Sequence, residues 1–328
     1  MPISTTIDPT GPPVRTGQGS AINNREDLSS MLTILAPEET PILSLAPKRG
    51  KMESTFTEWP IDKLAAPNKT GVAEGADITA FANKFDAVAR LGNYVTILER
   101  PWAVSDLQTI VKSAGPQDKG RAITKSIQEL KRDIEFKFSS DDDRTAQDGG
   151  GTVYGSRGLG DWIDSAGPSD VPAAYRTPSA SIITSAPTED TLDGAMASIF
   201  TVNGKQNRLT LVAGTALRKV ITEFTRTENN SGNEVYQVVE QAGTKKVTFV
   251  IDTFETAYGF INIINANPDC VVNSNRGYIL NTGFYGVKDL IPMQVRELED
   301  QGGGPRGYVK YAGTLCVNHP GAHGKIAY

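Results

Sequence analysis

The residues of this chain best suited to chemistry are few, and their spacing does not favour it. His319 and His323 stand at i,i+4 in HPGAH. That interval suits a zinc pair on a helix, but Pro320 and Gly321 between them break helical geometry, and no glutamate stands beside them as a general base. Gly155, Gly158 and Gly160 in GSRGLG miss the order of a phosphate-binding glycine loop, and no strand leads into them, so the segment reads as a flexible loop. Asp141, Asp142 and Asp143 follow a helical run, at the dipole end that disfavours carboxylates, and lack the glycine of a calcium loop. They read as a solvated acidic patch. Cys270 and Cys316 form no metal or redox spacing and read as reduced thiols. No Ser–His–Asp or Cys–His order has supporting context. No catalytic, cofactor-binding or metal-binding residue is assigned, and assembly is the expected class of function.

The strongest positioning element runs from Gly120 to Asp141. Ile123, Ile127, Leu130, Ile134 and Phe138 fall at steps of three and four, one face of a helix. Lys125, Glu129, Arg132, Asp133 and Glu135 are expected on the remaining surface, with Lys125–Glu129 and Lys131–Glu135 as i,i+4 ion pairs. A run of about 20 residues spans about 30 Å, enough for a spine.

The rest of the chain is mixed. It has 328 residues, 38% hydrophobic, with 32 glycines and 19 prolines, which points to many turns and extended segments. A net charge of −5 argues against a dedicated nucleic-acid binder. No apolar run is long enough to span a bilayer, and the first residues lack a signal-peptide layout. Residues 1–23 are too polar to fold alone and read as an arm. Leu28, Met31, Leu32 and Leu35 predict a short helix stopped by Pro37. PEETPILSLAPKRG reads as a turn and an extended piece. A strand over Met52–Ile61 and another in NYVTILERPWAVSD are joined by a weakly patterned excursion, too long for a hairpin turn and in need of a partner surface. VSDLQTIVKSAG predicts a helix ended at Gly115-Pro116. Thr188 caps a helix with Leu192, Ala195, Met196 and Ile199 buried. NRLTLVAG, a helix with Leu217, Val220, Ile221 and Phe224, and the strands VYQVVE, KKVTFVIDTF and FINIINA form a small α/β unit. LIPMQVRELE and GYVKYAGTLCVN close the chain as strands.

In that order of elements, the chain resembles the major capsid proteins of tailed double-stranded DNA phages, with the Hong Kong 97-type fold. LAPEETPILSLAPKRG, GNYVTILERPWAVSDLQTIVKSAG, ELKRDIEFKF, GSRGLGDWID and VNHPGAHGKIAY carry the resemblance. It implies an α+β fold with an N-terminal arm over 1–50 and an E-loop over 51–98. A P-domain with the spine helix would follow over 99–150 and an A-domain over 151–283. The chain would return to the P-domain over 284–328, its tail closing on the boundary of the two domains. It implies no cofactor and no membrane. The partners it implies are copies of the chain in hexamers and pentamers of an icosahedral shell, portal, scaffolding and decoration proteins, and non-specific contact with packaged double-stranded DNA. The shell would belong to a virion assembled in the host cytoplasm. Some members begin with a cleaved scaffold-like region. The spine starting near residue 117 leaves no room for one, so a separate scaffold or a mature form is expected. Some members also cross-link a loop lysine; Lys63, Lys69 and Lys84 are available, and cross-linking is not expected. The competing reading is a cytosolic α/β enzyme or ligand-binding protein with a long decorated loop, which would need a concave pocket with converging polar groups. A tail or adhesion protein is a third, without the repeats such fibres usually show.

Overall fold

The computed structural model describes residues 40–328 except 80, 82, 86–87, 111–117, 205–206, 225–226, 229–233, 236–237, 242–243, 248–251 and 268–272. The expected arm, the helix around Leu28–Leu35, the end of VSDLQTIVKSAG with Gly115-Pro116, and Cys270 lie outside the described residues.

The chain opens with helix α1 (Pro41–Leu45), then strands β1 (Lys48–Lys51), β2 (Phe56–Ile61), β3 (Ala89–Tyr94) and β4 (Thr96–Ala103). Helices α2 (Asp106–Ile110), α3 (Asp118–Ser139) and α4 (Leu159–Trp162) follow, then β5 (Ile182–Ile183), α5 (Glu189–Asn203), β6 (Asn207–Ala213) and α6 (Thr215–Glu223). Two small ribbons pair β7 (Thr227–Glu228) with β8 (Glu234–Val235) and β9 (Val238–Gln241) with β10 (Thr244–Val247). The remaining strands are β11 (Thr253–Thr256), β12 (Gly259–Asn265), β13 (Arg276–Leu280), β14 (Tyr285–Leu298), β15 (Arg306–Val317) and β16 (Gly324–Ala327).

α3 is the predicted spine. Leu130, Ile134 and Phe138 are buried, and Ile123 and Ile127 pack partly buried against the same core. It lies on a four-stranded sheet of order β1-β14-β15-β4, against β4 and β15. β14 and β15 form one long antiparallel ladder from Tyr285↔Val317 to Leu298↔Arg306, with irregularities around Ile291. Arg100 of β4 grips Asp133 of α3 with Nε and Nη2 at 2.5 and 2.6 Å, a two-pronged pair that fixes the helix across the sheet.

One expectation on α3 is overturned. Glu135 does not face water with Lys131; it is fully buried, while Lys131 stays exposed. Its carboxylate receives the amides of Ile42 and Leu43, at 2.7 and 2.8 Å. Periodicity misplaces it because the sequence does not show that α1, with backbone donors free in its first turn, packs on that side of the spine. The segment around Pro41, expected as turn and extended chain, accordingly holds a short helix with proline in its first turn.

The second sheet has the order β11-β12-β6-β13-β16-β5, with β12 parallel to β6 and β16 parallel to β5. Alternation decides which layer each residue serves. Leu209, Leu211 and Ala213 of β6 and Ile279 of β13 face the cluster built with Leu192, Ala195, Met196 and Ile199 of α5 and Leu217 and Ile221 of α6. Val212, Tyr278 and Leu280 point the other way, into the cluster around α3. Both faces are covered, which is why these strands read as continuous apolar runs. Thr188 caps α5 as expected, accepting from the Thr191 amide. The tail strand β16 lies inside this sheet, between β13 and β5.

Leu130 has no exposed surface. Leu130→Ala should cost about 2–5 kcal/mol of unfolding free energy, read as a lower urea midpoint at constant m-value. Lys125→Ala on the solvent side, whose partner Glu129 is 3.7 Å away, should stay within about 0.5 kcal/mol.

Candidate assembly site

β2 and β3 pair antiparallel, from Phe56↔Tyr94 to Ile61↔Ala89. The chain between them, residues 62–88, holds no helix or strand among its described residues. Leu64, Val72, Ile78, Phe81 and Phe85 on this loop are each 76% to 93% exposed. A two-stranded ribbon is marginal alone, so its root must be held by something else.

The root is fastened by buried polar bonds. Asn93 of β3 is fully buried; its Nδ2 donates to the Leu315 carbonyl at 2.8 Å and to Ser156 Oγ at 3.0 Å, while its Oδ1 accepts the Arg157 amide at 2.8 Å. Thr314 Oγ1 donates to the Tyr94 carbonyl at 2.7 Å, and Trp59 Nε1 to the Val317 carbonyl at 3.1 Å. Arg144 Nη1 donates to the Gly92 carbonyl at 2.6 Å. The hairpin is thus bonded at once to β15 and to the segment after α3. The bonds of Asn93 and Trp59 lie in the interior, where an unpaired group costs about 1–3 kcal/mol, and those of Thr314 and Arg144 are part-buried.

The segment after α3 is not the flexible loop expected of GSRGLG. Residues 155–160 are buried. A Cβ on Gly158 would lie 2.2 Å from the Ser140 carbonyl oxygen, and one on Gly160 would lie 2.0 Å from Asp141 Oδ1. The glycines are there because the chain returns directly against the end of the spine.

The three aspartates are exposed, as expected of a solvated patch, but each is also held by a cation. Asp141 takes Lys325 Nζ at 2.8 Å and Arg276 Nη2 at 2.5 Å, which ties the spine's end to β16 and β13. Burial works to raise the Asp141 carboxyl, but those two cations outweigh it and hold it below the usual range. Asp142 takes Lys137 Nζ at 2.6 Å, which lowers it. Asp143 accepts Arg157 Nε at 2.8 Å. At Asp141 the unfavourable dipole is answered by Arg276 and Lys325 from distant strands, a pairing invisible to local sequence.

Arg157 is the centre of this cluster. Its side chain is 1% exposed, yet it also reaches Asp170 Oδ1 at 2.8 Å and Asp161 Oδ2 at 2.9 Å and lies 4.7 Å over the Trp162 ring. Burial tends to raise the Asp170 carboxyl, but Arg157 and Arg144 hold it low. Asp161 behaves oppositely: burial, only partly countered by Arg157, lifts it to about 6. Asn93 and Arg157 went unmarked in the sequence; the only local signal was an arginine among glycines soon after an aspartate run.

The histidines flank a 3₁₀ turn, Pro320–Ala322. His323 is fully buried, its Nδ1 accepts the Asn281 amide at 3.2 Å, and burial drives its pKa down to about 3. His319 lies edge-on to Tyr175 and Phe284, and burial lowers it as well. Among the described residues, no group of three His, Cys, Asp or Glu side chains could hold a metal ion. Cys316 is a buried free thiol pushed up to about 12 by burial.

Solved structures sharing this architecture are shells. The cyanophage A-1(L) capsid subunit is 16% identical with a TM-score of 0.63, over 93% of this chain and 96% of that one. The capsid of cyanophage P-SCSP1u gives 11% and 0.61 over 95% of each chain, and the capsid of a native GTA particle gives 11% and 0.60 over 94% and 95%. The fold is that of a Hong Kong 97-type capsid subunit. No curated protein sequence matches the chain. Residues 14–328 match the SU10 major capsid protein family; the chain belongs to that family, and its role is to form a capsid shell.

Asn93→Ala strands the Arg157 amide and the Leu315 carbonyl in the interior, at about 1–3 kcal/mol each, and should lower the denaturation midpoint of the subunit accordingly. A loss below about 0.5 kcal/mol would mean that the root is held elsewhere. Arg157→Met should cost about 3–5 kcal/mol at pH 7 by leaving Asp161 without its cation and Asp170 with Arg144 alone. That deficit should shrink as pH falls towards 4. Asp161, which burial raises and which has lost its cation, then takes up its proton, while Asp170, whose lowered carboxyl titrates below 3.8, stays ionised over this range. Paired melting curves at the two pH values check both statements.

Proposed function

We propose that this chain tiles an icosahedral virus head as hexamers and pentamers around packaged double-stranded DNA, and that the loop over residues 62–88 joins each copy to its neighbour. The observation that carries this is the contrast inside the E-loop of residues 51–98. Its root is bolted by Asn93, Trp59 and Thr314, whereas its tip presents Leu64, Val72, Ile78, Phe81 and Phe85 to solvent. Exposed apolar side chains gathered on one extended element mark an interaction site. A second copy of the chain is the partner that every subunit of a shell has available.

The other regions fit the same reading. The four-stranded sheet with α3 suits the P-domain of 99–150 and 284–328, and the six-stranded sheet with α5 and α6 suits the A-domain of 151–283. Residues 1–50 are the arm. The work is mechanical, not catalytic. Portal, scaffolding and decoration proteins complete the particle, which is assembled in the host cytoplasm. Contact with DNA is weak and non-specific, as a net charge of −5 favours.

The test is to replace residues 63–88 by a short glycine–serine turn. Negative-stain microscopy and size-exclusion chromatography should show closed shells, tubes or rings for the full chain. The shortened chain should give a folded subunit that builds none of them. Shells of normal size from the shortened chain would refute the role given to the loop.

A further inference from the structure

Among the described residues, the one fully buried carboxylate that the assembly reading leaves unused is Glu135. It lies near the end of α3 with no exposed surface, facing the first turn of α1. Its two oxygens divide the two nearest donors, Oε1 to the Ile42 amide at 2.7 Å and Oε2 to the Leu43 amide at 2.8 Å. α1 is the first element of the described chain. Its sequence PILSL carries no charge to compensate the carboxylate.

The groups around this contact are accounted for. From β14, Tyr285 donates its hydroxyl to the Ile42 carbonyl at 3.4 Å, and burial, then the Glu135 charge, makes that phenol harder to ionise. After α1, Lys48 is taken by Asp289 at 3.1 Å, and Arg49 by the carbonyls of Gly283 and Tyr285. On α3, Lys131 is exposed and Asp133 is committed to Arg100. On α4, Asp161 faces Arg157. Among the described residues no cation stabilises the Glu135 charge: burial raises its pKa and only the amides of Ile42 and Leu43 oppose that.

We propose that Glu135 couples the docking of α1 on the spine helix to proton uptake, so that the root of the amino-terminal segment is held firmly in acid and loosened in alkali. The direction follows from linkage. In the docked state burial lifts the carboxyl from its ordinary 4.5 to about 7. Once α1 leaves, water reaches the carboxyl and the ordinary value returns. The docked form therefore holds its proton between those two values while the released form has lost it. Docking is strongest below about 4.5, weakens as pH rises through 7, and is constant above it. The separation of about 2.5 pH units sets a ceiling of about 300-fold on the change in the docking equilibrium. The amides do bind the charged form better, but desolvating a full charge costs more than two such bonds return.

Hydrogen–deuterium exchange on the full chain tests this, with rates corrected for the base-catalysed chemistry of free amides. Between pH 5 and pH 9 the opening of the Ile42 and Leu43 amides should increase on the order of 10²-fold, while amides around Leu130 should not follow. In Glu135→Gln, which keeps a side chain of the same shape without a titrating proton, the dependence should vanish. An equal dependence in Glu135→Gln, or none in the wild type, overturns the proposal. Should the variant fail to fold, carbon-13 labelling of glutamate carboxyls in the wild type decides it. One carboxyl titrating near 7 supports the proposal, and none above about 5 overturns it.

Discussion

The contact on which the rest of this subunit depends is the one Asn93 makes. A single buried amide uses both its ends to join three parts of the chain that are far apart in sequence: β3, β15 at Leu315, and the Ser156–Arg157 segment behind the spine. A side-chain amide has donors and an acceptor to spend, and here each finds a partner in a dry place. An apolar residue of similar size would fill the space but leave the Arg157 amide and the Leu315 carbonyl without replacement for water. The hairpin root inherits the rigidity of the long β14–β15 ladder through this bond, and Arg157 extends the same rigidity to the loop at Asp170.

Two layers of the fold are made to move as one by similar means. Tyr278 of the six-stranded sheet donates to the Ser139 carbonyl at the end of the spine at 2.5 Å, and Lys325 and Arg276 meet Asp141 just beyond it. The last turn of a helix carries carbonyls without intrahelical partners and a partial negative charge. A tyrosine hydroxyl and two cations are the groups that such an end accepts. The junction of the two sheets therefore sits where the helix itself supplies acceptors.

What the sequence could tell was set by the range of the interactions. The stripes of α3 and α5, the cap at Thr188, the strand alternation at Trp59 and the excursion before Ala89 are local patterns with fixed periods, and all appear in the fold. The burial of Glu135, the pairing of Asp141 with Arg276 and Lys325 and the packing of Gly158 and Gly160 are set by residues brought from farther along the chain. No window of sequence contains both partners. The apolar residues of the loop were visible one by one, but only the fold shows that its own core covers none of the five. Membership of the capsid family was legible because order of elements, unlike contact, is written along the chain.

That same contrast explains why the loop is built as it is. A monomeric protein gains by covering Phe81 and Phe85, at about 25 cal/mol per Å² of apolar surface removed from water, and a loop of this length could fold back to do so. Here the antiparallel root carries it away from the body, and the root is bonded too firmly to yield. Exposed apolar surface that the chain cannot cover for itself becomes a driving force for association. In the assembly we propose, an extended tip on a fixed base would let one sequence meet neighbours at somewhat different angles. A closed shell, which needs both five-fold and six-fold surroundings from identical subunits, imposes that requirement. A rigid patch would suit one of those angles and lose contact at the other. An extended loop gives up some ordering entropy at each contact and keeps both.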